Sequence, residues 1–245
     1  MREQFLRNEM LWGPEGQQKL AAAHVILFGL GGVGSYAAEC LARSGVGELT
    51  LVDSDTVSVT NLNRQLEALW STVGQPKAEA VAARIRDIYP EALLHPIHGI
   101  YDGARRDAFF PAGCRYDYIV DAIDLVSCKL DLAETARRLE IPLVMALGTG
   151  NKMDPTLLRE ADISETYGCP LARVMRKELR KRGIFHQKVV FSPEEPLPAR
   201  RLEAPPPGRR SVPASSPWLP AAAGLLLGSV VVRDILNQEE GNAGC

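Results

Sequence analysis

"HVILFGLGGVGSYAAECLARSGVGELTLVDSD", residues 24–55, decides how the rest of the chain is read. An apolar run leads into Gly29-Leu30-Gly31-Gly32-Val33-Gly34, a G-x-G-x-x-G. Asp53 follows about 20 residues later, the spacing of the dinucleotide fingerprint. The pattern predicts a buried strand over 25–28, a helix over 32–43 and a second strand over 48–52, one βαβ unit. Gly29 allows a tight turn, Gly31 lets a phosphate approach the backbone, and Gly34 lets helix and strand pack closely. The helix N-terminus offers free N–H groups and the positive end of its dipole to an anion. Asp53, closing the second strand, is placed to accept from ribose hydroxyls. Taken alone, the loop says nucleotide, and an NAD- or FAD-dependent oxidoreductase is its first reading.

Working outward, strands and helices alternate. Helices are predicted over 76–88 and 125–139, and strands over 92–97, 118–120, 143–146 and 189–191. This alternation predicts an α/β fold: a doubly wound, Rossmann-like, mostly parallel sheet with a C-terminal extension. Residues 1–150 are read as a nucleotide-binding core and 151–245 as a substrate-facing extension, together one continuous domain. In the extension a basic helix is predicted over 170–182 and an apolar helix over 221–236. Between them, residues 193–220 hold nine of the 17 prolines, so 193–217 is expected to be a long extended loop.

Three motifs downstream of the glycines change the reading of the loop. Thr60-Asn61-Leu62-Asn63-Arg64-Gln65 follows the ribose acid. A dehydrogenase has no evident need for an arginine and two amides there, whereas Arg64 can fork onto phosphate oxygens and Asn61 can donate to them. Gly74-Gln75-Pro76-Lys77 puts a lysine in the first turn of a helix, a small local cost unless a ligand uses the charge. Asp121-Ala122-Ile123-Asp124 ends an apolar strand, where carboxylates face the ligand crevice of a parallel sheet and Asp124 could hold a magnesium ion. Each also has a plainer reading: a surface ion pair for Arg64, a solvated charge for Lys77, a helix N-cap for Asp124.

The ordered series G-x-G-G-V-G, D-x-D, N-x-N-R-Q, G-Q-P-K, D-A-I-D resembles the signature of the ubiquitin-activating-like adenylating enzymes, over residues 7 to 150. The resemblance implies ATP rather than NAD on the glycine loop. It implies that Gly29, Gly31, Gly32 and Gly34 cradle the phosphates and that Asp53 takes the ribose. Asn61, Arg64 and Lys77 would bind phosphates, with Asp55 and Asn63 in the same ATP site, and Asp124 would bind Mg2+. Arg7, in R-N-E-M-L-W-G, matches an arginine that such homodimers insert into the partner's site. Arg64, Lys77, Asp124 and Arg7 are thus the implied catalytic set.

The second half divides the family further. "NKMDPT", "ADISET", "CPLARVMRKELRKRGI" and "PWLPAAAGLLLGSVVVRDIL" resemble the tRNA threonylcarbamoyladenosine dehydratase branch, although 193–217 matches it only loosely. The implied reaction is ATP-dependent adenylation of the threonylcarbamoyl carboxylate on tRNA and closure to a cyclic form. The competing reading is adenylation of the C-terminal Gly-Gly of a sulfur-carrier or ubiquitin-like protein. Many enzymes of that kind carry two C-x-x-C zinc pairs, and this sequence has none. A non-catalytic nucleotide-binding scaffold is the reading from another class, and no sulfur-relay partner is identified. Between Pro170 and Gly183 there are six basic residues and one acid. At about 100° per residue, Arg173, Arg176, Lys177, Arg180 and Lys181 share one face and Leu171, Val174, Met175 and Leu179 the opposite one. The basic face is a candidate tRNA-backbone contact, or simply a solvated face.

Composition is compatible with all of this. The 245 residues are 46% hydrophobic and 24% charged, with a net charge of -2, so a polyanion site must be a local patch. The N-terminal residues lack the apolar core of a secretory signal, and the apolar run Trp218–Val232 falls short of the ~20 residues that cross a bilayer. A cytoplasmic protein with no membrane span is expected. The five cysteines include no C-x-x-C and are read as reduced thiols. Cys169, just ahead of the basic helix, is either a thioester candidate or a small residue at a helix entrance.

Overall fold

A computed structural model describes residues 3–111, 113, 115–200, 202 and 213–237. Cys114, Cys245 and, within the expected 193–217 loop, residue 201 and residues 203–212 lie outside the described residues. In chain order the described elements are α1 (Leu6–Ala22), β1 (His24–Phe28), α2 (Gly34–Ser44), β2 (Glu48–Asp53), α3 (Lys77–Ile88), β3 (Leu93–His98), α4 (Arg106–Phe109), β4 (Tyr118–Asp121), α5 (Val126–Leu139), β5 (Leu143–Ala146), β6 (Arg159–Asp162), α6 (Pro170–Lys181), β7 (Lys188–Phe191) and α7 (Trp218–Asn237).

The strands form one sheet in the order β3-β2-β1-β4-β5-β7-β6. Neighbours are parallel except β6, which runs antiparallel to β7 at the edge. This is the doubly wound sheet expected. Its central strands are near-continuous apolar runs because helices cover both faces. One face packs Leu27, Leu49, Leu51 and Val120 under α2, α3 and α7. The other packs Ile26, Phe28, Ile119 and Met145 under α5 and α6. Pro96 sits in β3, an edge strand, where a missing ladder donor is tolerated.

Two elements escaped the sequence pattern. β6 reads Arg-Glu-Ala-Asp, without alternation. Its pairing with β7, rather than propensity, makes it a strand. α1 is interrupted at Gly13 (φ 75°), with Pro14 opening its second segment, which splits the apolar period. The apolar C-terminal helix is longer than the run seen in sequence: α7 has 20 residues with mean hydropathy up to 1.7. Its buried face lies on α2 and β5, so it is a core helix. A Cβ on Gly224 would stand 2.2 Å from Val33 O, so α7 approaches the start of α2 as closely as backbones allow.

Candidate functional site

β1 and β4 end side by side, and the chain turns sharply at Gly29 (φ +85°). The backbone leaves no room for a side chain at two of these glycines. A Cβ on Gly29 would meet Ala122 O at 2.7 Å, and one on Gly34 would meet Gly29 O at 1.8 Å. Asp53 closes the turn from β2: its Oδ2 accepts from Leu30 N at 2.6 Å and its Oδ1 from Asp55 N at 2.8 Å. The acid therefore braces the glycine loop as well as standing at its mouth.

The residues after β2 fold back on the same loop. Asn61 Oδ1 accepts from Ser58 N at 3.0 Å and fixes a 3-10 turn over Val59–Asn61. That turn lays Arg64 and Gln65 against the glycines. A Cβ on Gly32 would lie 3.4 Å from Arg64 O, and one on Gly31 would lie 3.5 Å from Gln65 Nε2. Arg64 Nη1 donates to Thr60 O at 2.9 Å and to Asn63 Oδ1 at 2.8 Å, so its guanidinium is oriented by its own turn. Asn63 also donates to Ser215 O at 3.2 Å, which ties this turn to the segment ahead of α7.

Lys77 reaches the site because residues 55–57 pair with 74–77. Val57 N donates to Gln75 O at 2.8 Å and Lys77 N to Asp55 O at 3.0 Å. Lys77 is buried, and its Nζ stands 3.1 Å from Asp55 Oδ2. It is therefore not a solvated charge. Asp124 is exposed in the loop after β4. Leu125, one position after Asp124, is the N-cap residue of α5. Arg7 is exposed near the start of α1. Its neighbour Asn8 donates to Arg43 O at the far end of α2. Eleven helical residues, at ~1.5 Å each, separate that point from the glycine loop of the same chain.

Several groups at this end of the sheet are buried, among them Asp121, which turns inward rather than to the crevice that a strand-end carboxylate was expected to face. Glu67 is buried, and neither carboxylate oxygen has a hydrogen-bond partner among the described residues. Burial pushes its carboxyl up to about 7, against the pull of Lys77. Asp121 is fully buried, and Lys129 Nζ, also fully buried, lies 3.0 Å from its Oδ2. Burial pushes Asp121 up and the lysine opposes it. Lys152 is buried beyond β5 and donates to Ser192 O at 2.6 Å, with burial holding its ammonium below the ordinary lysine range. The local signals are uneven: Glu67 is one charged residue in an ordinary stretch, whereas Asp121 belongs to the D-A-I-D motif and Lys152 to NKMDPT.

In the second half the structure corrects the helical face. Arg173, Lys177, Arg180 and Lys181 are exposed on α6. Arg176 instead turns inward and donates from Nη1 to Thr166 O at 2.5 Å and to its Oγ1 at 2.6 Å. Val174 is 44% exposed, and Ala172 is buried with Met175 and Leu179. At about 100° per residue the buried stripe centres between Met175 and Leu179. Val174 lies well off that centre, and Arg176 lies on its border. Cys169 is the N-cap residue of α6 and only 3% exposed, which denies its thiol to a bulky acyl donor.

The ThiF family sequence profile matches residues 5–242. A Bacillus subtilis tRNA threonylcarbamoyladenosine dehydratase is 43% identical over 249 residues, 98% of this chain and 97% of that protein. An Escherichia coli molybdopterin-synthase adenylyltransferase is 34% identical over 155 residues, 63% of this chain and 61% of that protein. Among solved structures, the E. coli tRNA N6-threonylcarbamoyladenosine dehydratase in complex with ATP superposes with TM-score 0.85 at 35% identity, covering 96% of this chain and 94% of that one.

Proposed function

This chain belongs to the ThiF family, and from that premise we propose that it is an ATP-dependent adenylating enzyme that dehydrates threonylcarbamoyladenosine in tRNA to its cyclic form. The observation that carries the reading is the reach of its likeness. Similarity to the Bacillus subtilis dehydratase covers 98% of this chain, α6 and α7 included, whereas the molybdopterin-synthase adenylyltransferase matches 63% of it. Two independent features support it. The glycine loop, Arg64 and Lys77 converge at one end of the sheet, and an exposed basic helix lies outside that cluster.

In this reading ATP lies with its phosphates on the glycine loop, and Asp53 takes the ribose. Arg64 and Lys77 stabilise charge around the α-phosphorus, held in place by Asn63 and Asp55 respectively. Charges fixed before the reaction cost nothing to reorganise at the transition state. The substrate carboxylate attacks the α-phosphorus, a P–O bond forms and pyrophosphate leaves. An atom of the threonylcarbamoyl group then attacks the activated carbonyl, and the C–O bond to AMP breaks. The carboxylate oxygen departs on AMP, so the nucleoside is lighter by one water. No carrier thiol is needed, which agrees with the burial of Cys169.

Asp124 offers a single hard carboxylate at the strand end, a donor set that suits Mg2+ shared with phosphate oxygens. When bound, the ion supplies charge neutralisation on the triphosphate. Arg7 serves the partner's site in a homodimer. Support comes from its distance from its own glycine loop and from exposed Leu6, Met10 and Leu11 on the same arm. Mixing Arg7→Ala with Asp124→Ala subunits should then restore activity at one hybrid site per dimer. No recovery after verified subunit exchange would remove the cross-subunit role. A cytoplasmic location belongs to this reading, with a tRNA substrate as its support.

The deciding experiment incubates the protein with ATP, magnesium and tRNA bearing threonylcarbamoyladenosine. AMP release and a nucleoside lighter by one water are expected. An unchanged nucleoside mass, with pyrophosphate exchange only on a Gly-Gly-ended protein, would move the chain to the sulfur-carrier class. Nucleotide binding without turnover on either acceptor would make it a scaffold.

A further inference from the structure

The rim of the sheet opposite the glycine loop carries a second cluster. His24 opens β1, Glu48 opens β2, and His95 is the third residue of β3. Parallel register sets His24 beside Glu48 and Thr50 beside His95. Because side chains alternate along a strand, these four residues share one face, which begins polar at this rim and continues inward as Ile26, Phe28 and Val52. His24 Nδ1 lies 3.4 Å from Glu48 Oε1, and His95 Nε2 lies 2.7 Å from the same oxygen. One donor atom from each residue falls within 4.8 Å of the others.

We infer that His24, Glu48 and His95 form a binding site for a divalent transition-metal ion of the zinc type, with water completing a tetrahedron. Two imidazoles and a carboxylate are a donor set typical of such ions. Ligands at about 2.0–2.1 Å from a tetrahedral ion stand roughly 3.3 Å apart. The His24–Glu48 spacing already has that value. The His95–Glu48 spacing must open by a few tenths of an ångström, which the half-exposed His95 side chain allows.

The surroundings are those of a supported ligand. The Nε2 of His24 pairs with Thr50 Oγ1 at 2.9 Å, which directs Nδ1 at the carboxylate. Such an outer hydrogen bond fixes the tautomer and ring orientation of a metal-binding imidazole. The Tyr116 ring packs on His24 with centroids 4.6 Å apart, and His24 N donates to Asp117 Oδ2 at 2.7 Å. The ion would tie the edge strand β3 to β2 and β1, at the end of the sheet away from the nucleotide. Its role is therefore to clamp the sheet, not to take part in adenylation.

The test uses the full chain, stripped with chelator and free of nucleotide, titrated with Zn2+ alone under equilibrium dialysis. One ion per chain and a raised Tm are expected. His95→Ala should weaken uptake at least tenfold and abolish the Tm rise. Thr50→Val, which leaves all three ligands in place, should weaken it by about tenfold. AMP formation by metal-stripped protein with Mg2+ should be equal in wild type and His95→Ala. With Co2+ as probe, visible bands of a tetrahedral nitrogen–oxygen site should appear without a near-ultraviolet thiolate band. Failure of the wild type to take up Zn2+ would overturn the proposal. So would uptake undiminished in both His95→Ala and Glu48→Gln, or a thiolate–cobalt band showing that cysteines hold the ion.

Discussion

The glycine-loop end of the sheet and the basic face of α6 both collect positive charge, and they hold it in opposite ways. Around the loop, Lys77 is buried against Asp55, and Arg64 is pinned by Thr60 O and Asn63 Oδ1. On α6, Arg173, Lys177, Arg180 and Lys181 stand in solvent, and Lys181 pairs with Glu178 at 2.7 Å. A transition state rewards donors fixed at one point. A flexible polyanion rewards charge within reach, at little cost in geometry. On the proposed function the difference separates a site for chemistry from a surface for docking, and each part of it can be broken by substitution.

The largest effect should come from the buried pair beneath the loop. Lys129→Met strands Asp121 as an uncompensated buried acid, and removal of one partner of such a pair costs on the order of 3–5 kcal/mol. Denaturant midpoints should fall accordingly. A loss under about 1 kcal/mol would show that Asp121 is neutral in the folded state and that the ion pair is not what secures this end of β4. Next, Arg64→Ala should slow AMP formation by about 10²–10³-fold, the loss typical of one fixed charge-stabilising donor, with the fold intact by circular dichroism. Near-normal turnover would place Arg64 among plain surface residues.

Glu67 gives a pH-dependent prediction on the loop side. Its carboxyl is pushed up to about 7 from an ordinary 4.5. The folded state thus binds a proton that the unfolded state has released between those values. Stability from this group is full below pH 4.5, falls as pH rises and is lost above about 7. The total is on the order of 3 kcal/mol. Glu67→Gln should flatten that part of the stability–pH curve, measured by urea unfolding between pH 5 and pH 8. An unchanged slope would mean that Glu67 is ionised in the fold. The smallest effect belongs to α6. Arg173→Glu with Lys177→Glu should weaken tRNA binding and lower the slope of log affinity against log salt by about one unit per lost phosphate contact. ATP binding should not change. Unaltered tRNA binding would reduce this face to a solubility device, and a change in ATP affinity would erase the distinction between the two regions.

The local pattern was enough for the parts of the molecule that are fixed locally. The four inner strands β1, β2, β4 and β5 are short apolar runs bounded by turn residues, and they lie within a residue or two of where the sequence placed them. The glycines needed no partner to be read, because the demand at Gly29 and Gly34 is for backbone room. The motifs N-x-N-R-Q and G-Q-P-K stand out in sequence as charged and amide groups that a dehydrogenase does not need.

What sequence could not supply is whatever depends on residues distant in the chain. β6 is a strand only because β7 offers it a ladder. Arg176 leaves the basic face because Thr166 lies beneath it, and Val174 joins the exposed side because the buried stripe is set by what α6 packs on. Asp121 with Lys129 and Asp55 with Lys77 are ordinary charges until the fold closes over them. The triad of His24, Glu48 and His95 spans 72 residues of chain, yet adjacent parallel strands bring it together through register alone. Backbone demand and hydrophobic period are short-range, so they are written in consecutive residues. Burial, and the electrostatics that burial creates, exist only after the sheet has assembled.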